Sequence, residues 1–576
     1  MRRVLIANRG EIAVRVVRAV AEAGLVSVAV YADQDADALH VRLADEAYVL
    51  GGATAAESYL SIEWLMAAAQ ASGADAVHPG YGFLSESADF ARAVEAAGLI
   101  WIGPAPASID SLGDKITARR IAQSVGAPLV AGTDRPLESA DEAVAFAREH
   151  GLPIAIKAAF GGGGRGLKVA RELDDVADAF ESASREALAA FGRGECFVER
   201  FLERPRHIEA QVLGDGTGRV VVVGDRDCSL QRRNQKLVEE APAPGLSDEQ
   251  RRRIHDAARD ICAAVSYRGA GTVEFLMGED GVISFLEVNT RLQVEHPITE
   301  AVTGVDLVAE QLRIAAGDGI SFGATPAPTG HAIELRINAE DPGRGFLPSP
   351  GVVTGLRVPA GPGVRWDAGI EAGDTVQSAF DSLIAKLIVH APDRDAAVVR
   401  ARRSLGELSV EGVATVVPFV RTLLEDPAFS TAGFAVHTQW IETELMPRLE
   451  TQRRPEPAPD LSLRRVPIEI DGRRVMLGLP DDLLRGLVAG GSALETVPAD
   501  GGPAVADPAG LEASVPGTLV DWLVPDGEKV TEGQDVAVID AMKMETRVAA
   551  HRGGVLAQST AVGGTVALGD LLGKIE

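Results

Sequence analysis

Lys543 has the most unusual chemical setting in the sequence, because it lies between two methionines in the run Ala-Met-Lys-Met-Glu (541–545). A lone lysine is usually a solvated charge, but the sequence around this one repeats: residues 527–533 resemble residues 563–569 at a shift of 36 positions (563 − 527). Each copy alternates apolar and polar residues between Gly and Asp, which predicts short strands and tight turns. We expect a flattened β-sandwich with pseudo-two-fold symmetry, in which Lys543 lies at a hairpin tip and can carry a tethered group.

Two alternating runs, residues 271–276 and 283–289, are joined by Gly-Glu-Asp-Gly (278–281), which predicts a β-hairpin. Because side chains alternate along a strand, the hairpin should have an apolar and a polar face. The expected apolar face is Val273, Phe275, Leu286 and Val288, and the polar face is Thr272, Glu274, Glu287 and Asn289. Cross-strand neighbours lie roughly 5 to 8 Å apart, so the polar face can bind Mg²⁺ ions that also hold ATP phosphates. Two acids in such a place are more often simply surface.

The loop after this hairpin, Thr-Arg-Leu-Gln-Val-Glu-His-Pro (290–297), contains both a cation and an acid. Arg291 offers a fixed positive charge, and Glu295 offers a carboxylate nearby. Such a pair suits a small anion that must be held and deprotonated. The loop therefore favours a catalytic interpretation of the acids that precede it.

A run rich in glycine, residues 161–166, separates two apolar runs that each predict a strand, residues 154–160 and 167–170. The glycines fit G-x-G-x-x-G, but a dinucleotide-binding fingerprint requires a helix next, and here a strand follows. We interpret the segment as a hairpin lid whose backbone N–H groups fold over phosphate, with Lys157 beside it. The alternative is a disordered glycine linker.

The N-terminal residues predict the elements that position this chemistry. Residues 4–7 and 26–31 predict strands, and an apolar-periodic helix between them runs to about Ala23. Strand, turn, helix and strand begin a parallel α/β sheet.

Residues 512–576 resemble the biotinyl (biotin carboxyl carrier) domain, whose modified lysine lies in an A-M-K-M motif. The resemblance implies an all-β flattened sandwich with biotin attached to Lys543 by a biotin protein ligase. Lipoyl domains share the fold but usually have an acidic residue before the lysine and no methionine pair; a lipoylated lysine and an unmodified one are the alternatives. Residues 514–517 read Ser-Val-Pro-Gly where the family commonly has A-P-M-P-G, which puts the details of ligase recognition in doubt.

Residues 1 to about 446 resemble the biotin carboxylase component of biotin-dependent carboxylases, a multidomain α/β enzyme of the ATP-grasp class. The matching stretches, each with its first residue, are ANRGEIAVR (Ala7), HPGYGFLSE (His78), GDK (Gly113), IKAAFGGGGRG (Ile156), RHIEAQVLGD (Arg206), RDCSLQRRNQK (Arg226), EVNTRLQVEHPITE (Glu287) and ELRINAEDP (Glu334). So many matches in the same order leave little room for chance.

The resemblance implies roles for residues within these motifs. Contacts with ATP are implied for Lys115, Lys157, Gly162, Gly163, Gly164, Gly166, Glu199, His207, Gln231, Lys236, Glu274 and Glu287. A metal cluster is implied for Glu274, Glu287 and Asn289, and bicarbonate binding for Arg291, Gln293 and Val294. The implied catalytic residues are Glu295 as the base, Arg336 as the group that stabilises enolate-like biotin, Arg291 and Lys236. Asn234 replaces a frequent histidine, so a hydrogen bond near the nucleotide is in doubt.

The implied reaction is ATP-dependent carboxylation, by bicarbonate, of biotin on the chain's own carrier domain, with Mg²⁺ or Mn²⁺. As the alpha subunit of an acyl-CoA carboxylase, the chain would supply carboxybiotin to a carboxyltransferase β subunit acting on acetyl-CoA or propionyl-CoA. Methylcrotonyl-CoA, geranyl-CoA and pyruvate are alternative acceptors. We expect a homo-oligomer within a hetero-oligomeric complex. Two other readings are a different ATP-grasp ligase with a carrier domain, and a carrier subunit with an inactive catalytic half.

The expected domains are an N-terminal α/β domain (1–114), an ATP-grasp domain (115–325) with a lid (about 131–203), a carboxylase C-terminal domain (326–446), a linker segment (447–511) and the biotinyl domain (512–576). The 65 residues of the linker segment (447–511) are too few for a carboxyltransferase fold, which implies a separate subunit. Within it, residues 466–479 predict a small hairpin with Val466, Ile468 and Ile470 on one face. This hairpin packs either on a partner or on the carboxylase domain.

Length, charge and composition limit the classes of protein to which this chain can belong. At 576 residues the chain should divide into several cores. Its formal charge of −27 argues against nucleic acid as a partner. With no run of 18 or more apolar residues and no N-terminal leader, we expect no membrane partner and a cytoplasmic location. Cys196, Cys228 and Cys262 lack disulfide or zinc spacing, which fits a reducing compartment.

Overall fold

The structure is a computed structural model, and it describes residues 1–133, 135–159, 167–191, 193–431, 434–449, 463–470, 473–480, 509–515, 517–541, 544–566 and 569–576. The chain divides into two compact units. The larger is built on Met1–Arg448, and the smaller contains most of the C-terminal β-structure.

The larger unit begins with a five-stranded parallel sheet. Its strands are β1 (Arg3–Ile6), β2 (Val26–Tyr31), β3 (Glu46–Val49), β4 (Ala76–His78) and β5 (Ile100–Trp101), in the spatial order β3-β2-β1-β4-β5. The accompanying helices are α1 (Gly10–Glu22), α2 (Leu39–Leu43), α3 (Ile62–Ser72), α4 (Ala88–Ala96) and α5 (Pro106–Gly113). Every strand pair is parallel, which confirms the predicted parallel α/β sheet.

A small antiparallel sheet contains the strands on either side of the glycine run. It has the order β7-β6-β8, with β6 (Ile154–Ala158), β7 (Leu167–Ala170) and β8 (Cys196–Arg200), and the helices of this part of the chain are α6 (Lys115–Ser124), α7 (Ala140–His150) and α8 (Val176–Phe191). The pairing of β6 with β7 runs from Ile154 opposite Ala170 to Lys157 opposite Leu167. The predicted hairpin is therefore confirmed, although β6 ends two residues earlier than the sequence suggested.

A large antiparallel sheet forms the centre of the larger unit. The strands that follow β8 are β9 (Arg206–Asp215), β10 (Val220–Arg232), β11 (Gln235–Ala241), β12 (Arg268–Met277), β13 (Ile283–Asn289), β14 (His331–Asn338), β15 (Glu340–Asp341), β16 (Leu347–Pro348), β17 (Gly351–Val352), β18 (Gly355–Arg357), β19 (Val364–Ala368), β20 (Thr375–Val376), β21 (Leu383–Ala391) and β22 (Ser409–Glu411). The helices are α9 (Asp248–Ala264), α10 (His296–Thr303), α11 (Leu307–Ala316), α12 (Arg394–Glu407), α13 (Val417–Glu425) and α14 (Pro427–Ser430). The large sheet has the order β13-β12-β9-β10-β11-β14-β21-β19.

Alternation along β9 separates the core from a polar face. Ile208, Ala210 and Val212 are buried in one hydrophobic cluster with α9, whose first turn is closed by a capping box between Ser247 and Gln250. The residues that alternate with them, His207, Glu209 and Gln211, point to the opposite side of the strand. This second face of the sheet carries the polar residues described below.

The predicted hairpin is formed by β12 and β13, but one side chain was assigned to the wrong face. Thr272 lies opposite Asn289 and Glu274 opposite Glu287, which agrees with the predicted polar face. The register then shifts, so that Phe285 lies opposite Phe275 and Leu286 is unpaired. Val273, Phe275, Phe285 and Val288 belong to the core cluster, and Leu286 does not. A β-bulge inserts one unpaired residue, and period-2 reasoning cannot detect it.

The linker segment contains a two-stranded antiparallel sheet, β23 (Leu463–Ile470) and β24 (Arg473–Pro480). The pairing runs from Leu463 opposite Pro480 to Ile470 opposite Arg473. This confirms the predicted hairpin in its backbone. Within the described parts of the chain, neither strand pairs with any other.

The C-terminal strands form two four-stranded sheets. They are β25 (Gly510–Glu512), β26 (Gly517–Trp522), β27 (Lys529–Val530), β28 (Asp535–Ala541), β29 (Met544–Ala549), β30 (Gly554–Gln558), β31 (Thr565–Val566) and β32 (Leu571–Ile575). The sheet orders β25-β32-β30-β27 and β29-β28-β26-β31 correspond position by position when the two sequence repeats are exchanged. A Cβ at Gly517 would collide with the carbonyl oxygen of Asp540, and one at Gly554 with that of Glu576. The carbonyls are 36 positions apart (576 − 540) and the glycines 37 (554 − 517), so the close approach recurs in both halves with a slip of one residue. The internal symmetry predicted from the repeat is thus present in the fold.

Among the helices of the described residues, none combines the length and the apolar character needed to cross a bilayer.

Candidate active site

The predicted site residues come from neighbouring strands of the large sheet, on the face opposite α9. Glu287 lies on β13, Glu274 on β12, His207 on β9, Gln231 on β10 and Lys236 on β11. Glu274 lies directly opposite both Glu287 and Glu209 in the strand register. Glu209 and Glu274, which are 65 positions apart in sequence (274 − 209), are therefore brought side by side by strand pairing.

Lys236 is at the centre of the site. Its Nζ donates hydrogen bonds to Glu209 Oε2 at 2.8 Å, Glu274 Oε1 at 3.0 Å and Glu295 Oε1 at 2.6 Å. Burial by itself would lower the pKa of Lys236, but the three carboxylates outweigh it and hold the pKa well above its usual value. The ammonium group therefore stays charged and can attract anionic phosphate or bicarbonate.

Glu295 is fully buried but is held as a carboxylate by two cations. Its Oε1 accepts from Lys236 and its Oε2 from Arg336 Nη2 at 3.0 Å. Burial opposes ionisation, but Lys236 and then Arg336 offset it and place the pKa of Glu295 below its ordinary value. An ionised, oriented carboxylate of this kind can accept a proton from a bound acid.

The loop between β13 and α10 is fixed by contacts at both ends. Arg291 Nη2 donates to Asn289 Oδ1 at 3.1 Å and its Nη1 to Gln293 Oε1 at 2.8 Å. At the other end, the buried Lys386 Nζ donates to the backbone carbonyl of Val294 at 2.8 Å. The three residues expected to bind bicarbonate therefore lie on one ordered loop.

The residues expected to contact ATP phosphates lie beside Glu287. Lys115, Lys157, Glu199 and Glu287 line one cavity, together with Leu286, the side chain displaced by the bulge. Lys157 Nζ donates to Glu199, which also accepts from Arg119 Nη1 at 3.3 Å. Two lysines on one wall suit the charge of a polyphosphate.

His207 and Gln231 extend the cluster around Lys236. His207 Nε2 lies 3.0 Å from Glu274 Oε2, and its Nδ1 lies 2.9 Å from Gln231 Nε2. Burial lowers the pKa of His207, but the adjacent Glu274 more than compensates, so its pKa is raised. His207 and Gln231 are thus linked through Glu274 to Lys236.

Glu274, Glu287 and Asn289 fit a divalent cation. All three offer oxygen ligands from one face of the hairpin, the donor type that Mg²⁺ prefers. Burial and then the like charge of Glu274 raise the pKa of Glu287, and Lys115 offsets this rise in part. Glu274 itself keeps a pKa below its ordinary value, because Lys236 and His207 outweigh its burial.

Sequence reasoning missed several buried charges that complete the site. Arg226 is fully buried, and its guanidinium donates to Glu209 Oε1 at 2.7 Å, Gln211 Oε1 at 2.7 Å and Thr272 Oγ1 at 3.2 Å. Arg336 Nε donates to Glu239 Oε1 at 2.6 Å. The alternation His-Ile-Glu-Ala-Gln in 207–211 was the available signal for Glu209, whereas nothing local indicated its partners.

The backbone conformation at position 234 explains why an asparagine is accommodated there. The two residues between β10 and β11, Arg233 and Asn234, have φ values of 48° and 63°. Asparagine adopts this left-handed conformation more readily than most residues. Asn234 is exposed, and it helps to close the hairpin that carries Gln231 and Lys236.

Five of the predicted site residues, Gly162, Gly163, Gly164, Gly166 and Lys543, lie outside the described residues. The chain passes from β28 to its neighbour β29 through positions 542 and 543.

Comparison with known protein families gives consecutive matches along the chain. Residues 1–109 match the family described as biotin carboxylase, N-terminal domain. Residues 114–322 match the ATP binding domain of the carbamoyl-phosphate synthase L chain, and residues 334–443 match the biotin carboxylase C-terminal domain. Residues 509–575 match the family described as biotin-requiring enzyme.

Individual proteins give the same result. The chain is 55% identical, over 100% of its length and 98% of the relative, to the biotin-dependent acyl-coenzyme A carboxylase alpha3 subunit of Mycobacterium leprae. It is 49% identical to the biotin carboxylase of Haemophilus influenzae over 77% of this chain and 99% of that protein.

Solved structures cover the larger unit. A Campylobacter jejuni biotin carboxylase complexed with an ATP compound has a TM-score of 0.74 at 41% identity, over 77% of this chain and 98% of that one. The biotin carboxylase domain of Hydrogenobacter thermophilus 2-oxoglutarate carboxylase, with MgADP and bicarbonate, has a TM-score of 0.72 at 44% identity, over 77% and 97%.

Proposed function

The chain belongs to the family of biotin-dependent acyl-coenzyme A carboxylase alpha subunits, as a biotin carboxylase with a biotin carrier domain, and we propose which of its residues act in each step of the reaction. The observation that carries the proposal is the contact of Glu295 with both Lys236 and Arg336. One carboxylate between two fixed cations suits a site where an anion is deprotonated and negative charge then develops.

In the first half-reaction, Arg291, Gln293 and the backbone of Val294 hold bicarbonate. Glu295 accepts its proton while a bicarbonate oxygen attacks the γ-phosphorus of ATP and the bond to ADP breaks, giving carboxyphosphate. The low pKa of Glu295 keeps it ready as a base at neutral pH. Phosphorylation converts bicarbonate, a poor electrophile, into a species that can release CO₂.

The nucleotide is held by Lys115, Lys157, Glu199, His207 and Gln231. Contacts with ATP are proposed also for Gly162, Gly163, Gly164 and Gly166, on the resemblance of their motif. Mg²⁺ bound by Glu274, Glu287 and Asn289 would neutralise charge on the transferring phosphoryl group. Lys236 adds a positive charge to the same region.

In the second half-reaction, the C–O bond of carboxyphosphate would break to give CO₂ and inorganic phosphate, and the phosphate would take the proton of the acceptor nitrogen. Arg336 would stabilise the negative charge that then develops on the acceptor. Lys543 would hold biotin, whose ureido nitrogen would supply the acceptor for the carboxyl group. We infer attachment by a biotin protein ligase within a biotinyl domain spanning about 512–576, after a linker segment (447–511). The larger unit would comprise the N-terminal (1–114), ATP-grasp (115–325) and C-terminal (326–446) carboxylase domains.

We propose that the final acceptor is acetyl-CoA or propionyl-CoA, and that a carboxyltransferase β subunit binds this chain in a hetero-oligomer. The hairpin of β23 and β24 is a candidate dock, because an isolated two-stranded sheet is marginally stable alone. Deleting residues 466–479 should abolish co-purification with the partner while biotinylation and ATP hydrolysis persist. Complex formation after the deletion would place the dock elsewhere.

The central test is an ATPase assay with purified chain, free biotin and bicarbonate. We expect ADP release to require both bicarbonate and biotin. A different ATP-grasp ligase would not require bicarbonate, and a carrier subunit with an inactive catalytic half would release no ADP. Either result would overturn the proposal.

A further inference from the structure

Glu86 contacts the loop that contains the expected bicarbonate ligands, although it belongs to the N-terminal sheet. It lies between β4 and α4, next to Ser87, the N-cap residue of α4. Its Oε1 accepts from the backbone N–H of Thr290 at 3.0 Å, and its Oε2 accepts from Arg291 Nε at 2.9 Å. One carboxylate therefore holds both the backbone and a side chain of the loop.

The contact decides which part of the Arg291 guanidinium is available to an anion. Arginine has five N–H donors. Nε donates to Glu86, Nη1 donates to Gln293 Oε1 and Leu292 O, and Nη2 donates once, to Asn289 Oδ1. Counting contacts within the parts of the chain that the structure describes, one N–H of Nη2 has no partner.

The segment that carries Glu86 is itself fixed. Asn8 Nδ2 donates to the carbonyl oxygens of Pro79 and Tyr81, both at 2.7 Å. Ser87 caps the next helix by accepting from the N–H of Phe90 at 3.2 Å. Because the backbone on both sides is held, Glu86 presents its carboxylate to the loop from a rigid support.

We propose that Glu86 is a positioning residue of the bicarbonate site, which orients Arg291 so that its remaining N–H binds the anion. This inference rests on the proposed function. It deepens that function by assigning to the N-terminal domain a part in bicarbonate binding.

Two effects of the Glu86 charge oppose each other. A negative charge near the site repels bicarbonate, whereas the hydrogen bonds orient the cation that binds it. The Glu86 side chain is 41% exposed, so water screens its repulsion strongly. Loss of its hydrogen bonds would instead release a long side chain into several rotamers. Positioning therefore outweighs repulsion, and removal of Glu86 should weaken bicarbonate binding.

The test is Glu86→Gln in the full-length chain. Glutamine keeps the shape but has one acceptor oxygen, and its NH₂ group would face a donor. We expect the KM for bicarbonate to rise about tenfold, the effect of weakening one charge-assisted hydrogen bond. The KM for ATP and the thermal midpoint should stay close to wild type. An unchanged or lowered bicarbonate KM would overturn the proposal.

Two further variants separate the effect of where the Glu86 carboxylate lies from the effect of its charge. Glu95→Gln removes a carboxylate of the same domain that accepts from Arg268 Nη2 at 3.2 Å, and should leave the bicarbonate KM unchanged. Glu86→Asp keeps the charge but shortens the reach by one methylene, so it should also raise this KM. A wild-type KM for Glu86→Asp would mean that charge alone matters and would overturn positioning. Should Glu86→Gln fail to fold, the aspartate variant carries the test.

Wild-type chain is assayed first. If it shows no bicarbonate-dependent turnover, the proposed function fails. If it does, and the Glu86 variants keep its bicarbonate KM, only this inference fails.

Discussion

The large sheet of the carboxylase unit and the C-terminal β domain place their candidate reactive groups in opposite ways. In the sheet, Lys236 contacts carboxylates from three separate segments of the chain, all of them buried. In the C-terminal domain, the candidate group, Lys543, lies within one contiguous motif, and a repeat built around it supplies the scaffold. The first arrangement depends on tertiary structure, and the second is largely a property of local sequence.

The difference predicts different responses to mutation. In a buried network each charge sets the pKa of its neighbours, so one substitution affects several residues at once. A tethered lysine is either modified or not, and its loss need not disturb the domain. The predictions below use this contrast, beginning with the largest effect.

Lys543→Arg should abolish biotin incorporation completely while leaving bicarbonate-dependent ATP hydrolysis with free biotin intact. Intact mass and streptavidin binding measure the first, and ADP release the second. Lys529→Arg, at an exposed lysine of the repeat, is the matched control and should be fully biotinylated. Streptavidin binding by Lys543→Arg would place the attachment site elsewhere.

Glu295→Gln should lower bicarbonate-dependent turnover by about 10²-fold, the usual contribution of a general base, with ATP affinity changed little. The variant removes the carboxylate shared by Lys236 and Arg336 but keeps its shape. ADP release at saturating bicarbonate and ATP binding by calorimetry are the measurements. Wild-type turnover would exclude Glu295 as the base.

Glu287→Gln should raise the Mg²⁺ concentration needed for half-maximal turnover about tenfold, because one of two carboxylate ligands is lost. A Mg²⁺ titration of ADP release tests this. Glu279→Gln, in the turn of the same hairpin, removes an equal charge that pairs with Arg204 and should have no effect. Equal Mg²⁺ dependence in both variants would contradict the assignment.

Glu11→Gln should make stability less dependent on pH. Burial raises the pKa of Glu11 from 4.5 to about 7, although Lys386 partly offsets it. Between pH 4.5 and about 7, Glu11 is ionised in the unfolded chain but still largely protonated in the folded one. The folded state therefore loses stability as the pH rises through this window. Glutamine cannot ionise, and its oxygen can still accept from Lys386. The quantity to compare is the Tm of Glu11→Gln minus the Tm of wild type. We expect this difference to be about 2 °C larger at pH 8 than at pH 5.

Circular dichroism at both pH values measures this difference, with Glu63→Gln on the exposed side of α3 as the control. The same Tm difference at both pH values would show that Glu11 is not a source of the pH dependence. The effect is small because one group contributes, whereas loss of Lys543 removes a whole function.

The hairpin of β12 and β13 shows how far pattern reasoning reaches. Alternation and the Gly-Glu-Asp-Gly turn were sufficient to predict both strands and to place Glu274 and Glu287 on the same face. The bulge after Glu274 was not predictable, because the extra residue breaks the period without leaving a distinctive residue type. Leu286 was therefore assigned to the core and in fact lines the cavity with Lys115.

The sequence by itself determined the parallel N-terminal sheet, the internal repeat of the C-terminal domain and the chemical identity of the expected site residues, because these depend on local periodicity and on contiguous motifs. Only the tertiary structure decided that Arg226, Glu209 and Glu239 support these residues and that Glu86 holds Arg291. The physical reason is that a buried charge needs partners within about 3 Å, and strand pairing supplies them from distant segments. No local pattern encodes which segments will be neighbours in the sheet.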